Sequence, residues 1–208
     1  RQATDQIFAM AGRVTKRDEK TAAAIFESLL LTGIAMSFTK TSRPGSGTEH
    51  IMAHFWECME LLDSKTPNYH GEDVGVTTLI MLRYYEALAR LPQVTTHPEI
   101  CNWDEIYSIY GPLAPDVQKL NTPDTITDGI APRWIEACWP QIRRIVQSVP
   151  SYDACLAAMR QAGCKTTIEE VGKAPDFVDI SFRFHPYMRR RLSLKRVSHM
   201  LDLPEDLF

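Results

Sequence analysis

Apolar residues recur every three or four positions through most of the chain, and this period is typical of helices packed against a core. The predicted helices span 4–16, 19–40, 49–64, 72–90, 99–110, 132–147, 151–162 and 167–171. Residues 176–185 fit either a strand or a helix, and with no other convincing strand we predict a helix there. The pattern therefore predicts an all-α protein.

Helix ends and loops follow from the residues that cap helices and interrupt them. Asp18 is a predicted N-cap, and Pro and Gly residues predict loops over 41–48 and 65–71. The centre of the helix 19–40 reads Leu29-Leu30-Leu31 and has little polar face, so we expect it to be buried on most sides. The helix 72–90 is similarly apolar and is also expected in the core.

Composition and charge exclude several classes of protein. Lys plus Arg is 23 and Asp plus Glu is 26, a net charge of −3, which does not favour a nucleic-acid binder. Five cysteines without a CxxC pair favour a reducing compartment, so we predict a cytoplasmic protein. The uncharged run 28–39 is shorter than the roughly 20 residues of a membrane span, so no membrane insertion is predicted. Because the chain begins with Arg1 rather than Met, we expect a piece of a longer protein.

Three histidines within one short window are candidate metal ligands. His50 and His54 are four residues apart on a predicted helix, so their rings share one face, and His70 follows at the end of the next loop. Imidazole is a common ligand of Zn, Ni and Fe ions, and Glu57, three residues after His54, could orient that ring. An ordinary polar helix face is the alternative at this point.

The loop 42–48 suits a small phosphorylated or hydroxylated substrate. Ser42 offers a hydroxyl, Arg43 offers a guanidinium that fits phosphate, and the loop leads into a helix N-terminus. An ordinary Pro/Gly connector is equally compatible with these residues. Farther along, we interpret the run 189–191, three arginines, as a solvated face or a helix C-terminal charge cluster, with an anion or subunit contact as the alternative. We interpret His97, His185 and His199 as structural.

Four stretches together resemble a known family. Residues 27–33, 42–50, 54–57 and 70–75 are similar to the bacterial branch of the sn-glycerol-1-phosphate dehydrogenases. That family lies within the iron-containing alcohol dehydrogenase and dehydroquinate synthase-like superfamily. The specific block spans about residues 20–90.

The resemblance implies a fold and a reaction. Members have a Rossmann-like N-terminal domain that binds NAD(P) and an all-helical C-terminal domain that binds a divalent metal, Zn, Ni or Fe. They reduce dihydroxyacetone phosphate to sn-glycerol 1-phosphate, a step of phospholipid metabolism. The resemblance implies that His50 and His70 are metal ligands and that His54 is a catalytic proton-relay residue. Ser42 and Arg43 become substrate-binding candidates, and a homodimer is expected.

The chain departs from the family pattern in one large respect. No nucleotide-binding fingerprint is present, so the Rossmann-like domain, the cofactor-binding residues and the Asp metal ligand are expected upstream of Arg1. We therefore expect residues 1–208 to be one helical metal-binding domain, with the metal-site core in about 20–90 and peripheral helices in about 91–208, inactive alone. Glycerol dehydrogenase activity, dehydroquinate synthase-like activity and a non-catalytic helical interaction module are the alternatives.

Overall fold

The computed structural model describes residues 2–208, and this part of the chain folds into helices joined by short loops. The α-helices are α1 Gln2–Val14, α2 Glu19–Thr39, α3 Thr48–Leu62, α4 His70–Arg90, α5 Trp103–Tyr110, α6 Ala114–Asn121, α7 Pro132–Val146, α8 Tyr152–Gln161, α9 Pro175–Phe184 and α10 Leu194–Val197. Within residues 2–208 there is no strand, only one isolated bridge between Thr96 and Leu201. The all-α prediction is confirmed.

The packing of α3 against α4 organises the core. Met52, Phe55 and Trp56 of α3 are fully buried, and α4 contributes Val76 and Leu79 among others. Burying one side chain of this size stabilises the fold by about 1.5–3 kcal/mol. The expectation that the helix 72–90 lies in the core is confirmed. This pair matters for function because α3 and the start of α4 carry the clustered histidines.

The second long apolar helix, α2, is not buried, contrary to the expectation from its sequence. Asp18 caps it as predicted, but Leu29 and Leu30 are 64% and 52% exposed. The reason is that α2 packs mainly against α1 and the short turn Arg43–Gly45, which cover little of its surface. By length and composition alone, this 21-residue helix could cross a membrane, although the uncharged run within it is short.

Other differences arise where local signals were weak. Residues 167–171 form turns rather than a helix, because the Glu170 carboxylate accepts hydrogen bonds from the backbone N–H groups of Thr166 and Thr167. The helices α6 and α10 are too short to give a periodic pattern. The ambiguous segment 176–185 is helical, as α9.

A second apolar cluster surrounds the far half of α4. Tyr84 and Leu88 of α4 pack with Trp139 of α7 and with Met200 and Leu201 near the end of the described chain. The two ends of α4 therefore lie in different surroundings. Its first turn adjoins the clustered histidines, whereas its last turns contact the segments that follow α9.

Candidate metal centre

The structure brings the three predicted histidines together. His50 and His54 lie on α3, and His70 is the first residue of α4. The ring of His70 stacks on that of His54 with centroids 4.8 Å apart, and the centroids of His50 and His70 are 5.4 Å apart. An imidazole centroid stands about 3 Å from a metal bound at Nε2, so two rings on one ion have centroids about 5 Å apart. The spacing and the 58° tilt of His50 and His70 are compatible with that arrangement, whereas His54 and His70 are stacked nearly parallel, at 18°.

Carboxylates hold all three rings by the same atom, Nδ1. Both oxygens of Glu57 are used: one lies 2.9 Å from Nδ1 of His54 and the other 2.5 Å from Nδ1 of His70. Glu49 lies 2.8 Å from Nδ1 of His50 and also accepts a hydrogen bond from the Gly47 backbone. Glu57 thus orients the rings of both His54 and His70. Its position three residues after His54 predicted only the contact with His54.

These hydrogen bonds change the ionisation of the carboxylates. Burial alone raises the pKa of Glu57, but the hydrogen bonds from His70 and His54 outweigh it and hold that pKa below its ordinary value. Glu49 behaves in the same way, with burial opposed by its hydrogen bonds to His50 and Gly47 and a net lowered pKa. Both groups are therefore carboxylates at neutral pH.

The donor set fits a divalent transition-metal ion. A ring that donates Nδ1–H to a carboxylate has its orientation fixed and its Nε2 directed elsewhere. No group of residues 2–208 hydrogen-bonds to the Nε2 atoms of His50, His54 or His70. Ligand atoms of His54, Glu57 and His70 lie within 4.8 Å of one another, a group that does not include His50. The cluster resembles the carboxylate–histidine–metal arrangement of known metal sites.

A buried polar network holds the first turn of α4, which carries His70. Lys173 forms ion pairs with Glu60 and, at 3.5 Å, with Asp73, and all three side chains are largely or fully buried. Asn68 donates to Asp73 and to the backbone of residue 171, which ties the loop before α4 to a distant part of the chain. Because Asp73 lies in the first turn of α4, these contacts also fix the position of His70.

The substrate-binding candidates lie on the loop that precedes α3. The guanidinium of Arg191 donates to the Ser42 hydroxyl at 2.6 Å and to the Ser46 carbonyl at 2.7 Å. Arg43 is exposed, and its guanidinium makes no hydrogen bond with any residue that the structure describes. Gly45 is required here, since a Cβ at this position would lie 2.8 Å from the Thr32 side chain.

Arg191 is the residue that sequence reasoning missed. The interpretation of residues 189–191 as a solvated face is wrong for Arg191, which binds the loop, whereas Arg190 is exposed and pairs with the exposed Asp124 at 2.6 Å. No local pattern could have revealed this, because Ser42 and Arg191 are 149 residues apart. His97, His185 and His199 lie outside the cluster, as predicted.

Comparison with known proteins points in one direction. The chain is 27% identical over 184 residues to the glycerol-1-phosphate dehydrogenase (NAD(P)+) of Geobacillus stearothermophilus, which covers 88% of the chain and 39% of that relative. It is 25% identical over 188 residues to the enzyme of the same name from Geobacillus thermodenitrificans, covering 90% and 40%. A shorter match of 64 residues, 39% identical, links it to the Thermococcus kodakarensis enzyme and covers 31% of the chain and 17% of the relative.

The chain spans about 40% of the length of the curated relatives that match most of it. No family model matches the sequence, and no solved structure does. The all-helical architecture is consistent with the helical domain that the sequence resemblance implies. Over most of its length, this chain is a distant homologue of the glycerol-1-phosphate dehydrogenases.

Proposed function

We propose that this chain is the metal-binding helical part of an NAD(P)-dependent sn-glycerol-1-phosphate dehydrogenase. The reaction is reduction of dihydroxyacetone phosphate to sn-glycerol 1-phosphate. The single observation that carries the proposal is the convergence of His50, His54 and His70, each held at Nδ1 by a carboxylate and each with Nε2 unpaired within residues 2–208. The relatives' names supply the substrate and cofactor.

In this proposal His50 and His70 hold the divalent metal, Zn, Ni or Fe. When bound, such an ion supplies Lewis-acid polarisation of a carbonyl oxygen, and NAD(P)H supplies the hydride. Glu49 and Glu57 orient the two imidazoles, since each accepts a hydrogen bond from a ring Nδ1. The resemblance also implies an Asp ligand, for which this sequence offers no matching motif.

His54 has a different role in the proposal. Its ring stacks on His70 and its Nδ1 is bound to Glu57, so its Nε2 can hold a proton beside the reacting oxygen. We propose that His54 passes a proton to the substrate oxygen as that oxygen becomes a hydroxyl group. Glu57 stabilises the protonated ring of His54, in the way that a carboxylate stabilises the imidazolium of a catalytic triad.

Ser42 and Arg43 are proposed to contact the substrate phosphate. Arg43 is exposed and has a free guanidinium among the described contacts, which leaves it available to an anion. Ser42 is held by Arg191, so a phosphate at Ser42 would meet a second guanidinium. Two cations at one loop favour a phosphorylated triose over glycerol.

We further propose that residues 1–208 act as one domain, with the metal-site core in about 20–90, in a cytoplasmic homodimeric protein. Residues 2–208 contain no strand and so no sheet to bind a dinucleotide. We therefore expect no hydride transfer by the 208 residues alone. Oxidation of NADH by this chain with dihydroxyacetone phosphate would contradict that expectation.

Metal binding tests the proposal directly. Co²⁺ should bind the chain at about one equivalent and develop ligand-field bands in the visible spectrum, because imidazole ligands split the d-orbitals. His70→Ala should weaken binding by about 100-fold or more, since it removes one of few protein ligands. His97→Ala is the matched control, because His97 is a half-exposed histidine outside the cluster. Equal Co²⁺ affinity in the two variants would refute the proposal.

A further inference from the structure

A carboxylate, an imidazole and an amine line up at a second place in the molecule. Nε2 of His199 lies 3.0 Å from Nζ of Lys195. On the other side of the ring, Nδ1 of His199 lies 3.1 Å from the Tyr187 hydroxyl and 3.4 Å from a carboxylate oxygen of Glu99. Glu99 is in turn fixed by an ion pair with Arg196 at 2.8 Å. A nucleophile, a base and a group that orients the base are the components of a nucleophilic site.

The ionisation of these groups suits that role. Burial, assisted by the charge of Arg183, lowers the pKa of Lys195 to about 7. Burial also lowers the pKa of His199 to about 4, although Glu99 opposes this. At neutral pH the ring of His199 is therefore a neutral base, and a large share of Lys195 is the free amine.

Lys195 differs from an ordinary buried lysine in its partners. It is 4% exposed, it pairs with no carboxylate of residues 2–208, and its ammonium faces the rings of Phe182 at 4.4 Å and Tyr84 at 5.4 Å. The other buried lysine, Lys173, is neutralised by Glu60 and Asp73. An uncompensated buried ammonium is costly, which favours the neutral, nucleophilic amine at this position.

Lys195 is one of the residues that line a cavity of about 540 Å³. Its walls include Tyr84, Phe182, Lys195, His199 and the segment 203–208, whose Phe208 ring stacks on Phe182 with centroids 4.9 Å apart. Asp179, Arg183 and Glu205 also line this cavity, and a pocket that combines apolar walls with converging polar groups is typical of small-molecule sites. It is separate from the histidine cluster, because Tyr84 lies fourteen residues along α4 from His70, about 21 Å.

We propose that Lys195 is a nucleophilic lysine that condenses with the carbonyl group of a small apolar aldehyde or ketone bound in this cavity. Nζ attacks the carbonyl carbon, a C–N bond forms, and the carbonyl π electrons move to oxygen. His199 Nε2 takes the proton that leaves the nitrogen. His199 then delivers this proton to the oxygen, which gives a carbinolamine. A second transfer through His199 moves the remaining N–H proton to the hydroxyl group as the C–O bond breaks, water departs and the C=N bond forms. The products are one imine and one water, with no change in oxidation state.

Reductive labelling tests this proposal on the unmodified chain. The protein is treated briefly near neutral pH with limiting benzaldehyde and cyanoborohydride, and the benzylated lysines are identified by peptide mass. Lys195 should react more than about 10-fold faster than the exposed Lys65 and Lys119, because far more of it is free amine. Lys173 should stay unlabelled, since its side chain is 1% exposed and is bound by two carboxylates. Lys195 reacting no faster than Lys65 and Lys119 would overturn the proposal.

A substitution of His199 tests whether proton transfer by its ring, and not burial alone, makes Lys195 reactive. His199→Gln keeps a polar group of similar size but cannot relay a proton, so labelling of Lys195 should slow by about 10-fold or more. The rates at Lys65 and Lys119 report any general change in reactivity, and circular dichroism checks the fold. If the variant is folded and its Lys195 reacts at the wild-type rate, His199 is not the base and the relay is wrong. If the variant unfolds, the comparison of Lys195 with Lys65 and Lys119 in the wild-type chain still decides the proposal.

Discussion

The two ends of α4 both hold ionisable groups, but neighbours of opposite character surround them. At the first turn, Asp73 and Lys173 neutralise each other beneath three imidazoles that carboxylates orient. At the far end, Lys195 is buried against Tyr84 and Phe182 without a carboxylate partner among residues 2–208. The same side chain, a buried lysine, is therefore a structural cation at one end and a reactive amine at the other. The presence or absence of neighbouring carboxylates, and not burial, decides which of these two roles the lysine has.

The largest expected effect concerns the ion pairs of Lys173 near the first turn of α4. Lys173→Met should destabilise the protein by about 3–5 kcal/mol, because it leaves the buried carboxylates of Glu60 and Asp73 without their cation. Urea unfolding followed by circular dichroism measures the loss. Lys119→Met, at an exposed lysine paired only with Asp116, is the control and should change stability by less than about 0.5 kcal/mol. A similar small change in both variants would mean that the ion pairs at the first turn of α4 contribute little.

The second effect concerns the carboxylate that orients two imidazoles. Glu57→Gln should weaken Co²⁺ binding by about 10–100-fold, because an amide cannot accept hydrogen bonds from both His54 and His70. Titration followed by the visible Co²⁺ spectrum measures the affinity. Glu105→Gln, at a half-exposed carboxylate that pairs with Arg183, is the control and should bind Co²⁺ like the wild type. Unchanged affinity in Glu57→Gln would remove Glu57 from the proposed centre.

The third effect should have the opposite sign, because Lys195 is uncompensated. Its folded-state pKa is about 7, so the folded chain loses this proton well before the unfolded chain does, and wild-type stability rises with pH between about 7 and 10.4. Lys195→Met lacks this titration and keeps the apolar packing. It should therefore be more stable than wild type by about 2 kcal/mol near pH 6, and the gain should shrink as pH rises.

Urea unfolding of both chains at about pH 6 and pH 9 measures this difference. Lys195 lies beside His199 and Arg183, and Asp179 and Glu205 line the same cavity; all four are unchanged in the variant. Because His199 is neutral above about pH 4, its own titration does not enter this window. A variant that is less stable than wild type at both pH values would show that Lys195 is not an uncompensated charge.

The smallest expected effect tests whether the loop before α3 is held by a residue that is distant in the sequence. Arg191→Ala should destabilise the protein by about 1 kcal/mol, because it removes charge-assisted hydrogen bonds to Ser42 and Ser46 from a partly exposed site. Amide hydrogen exchange in the loop 41–47 should become faster, whereas exchange in α4 should not change. Arg189→Ala is the control, since Arg189 is an exposed neighbour in the same run of arginines. Equal exchange in the two variants would mean that Arg191 does not order the loop.

Much of the helical architecture follows from local patterns. The periodic segments became α1–α5 and α7–α9 with ends displaced by a few residues, because helix formation depends on neighbours three and four positions away. The prediction for Leu29 and Leu30 failed for a related reason. Periodicity reports that a surface is apolar, but only the rest of the fold decides whether anything covers it.

The candidate sites divide in the same way. The sequence by itself determined the shared face of His50 and His54 and the return of His70 at the next helix, since these depend on helical spacing and one short loop. Only the tertiary structure decided that Arg191 binds the loop of Ser42 and that Glu99, 100 residues before His199, orients that ring next to Lys195. Contacts over such separations depend on how helices pack, and no pattern of neighbouring residues specifies that packing.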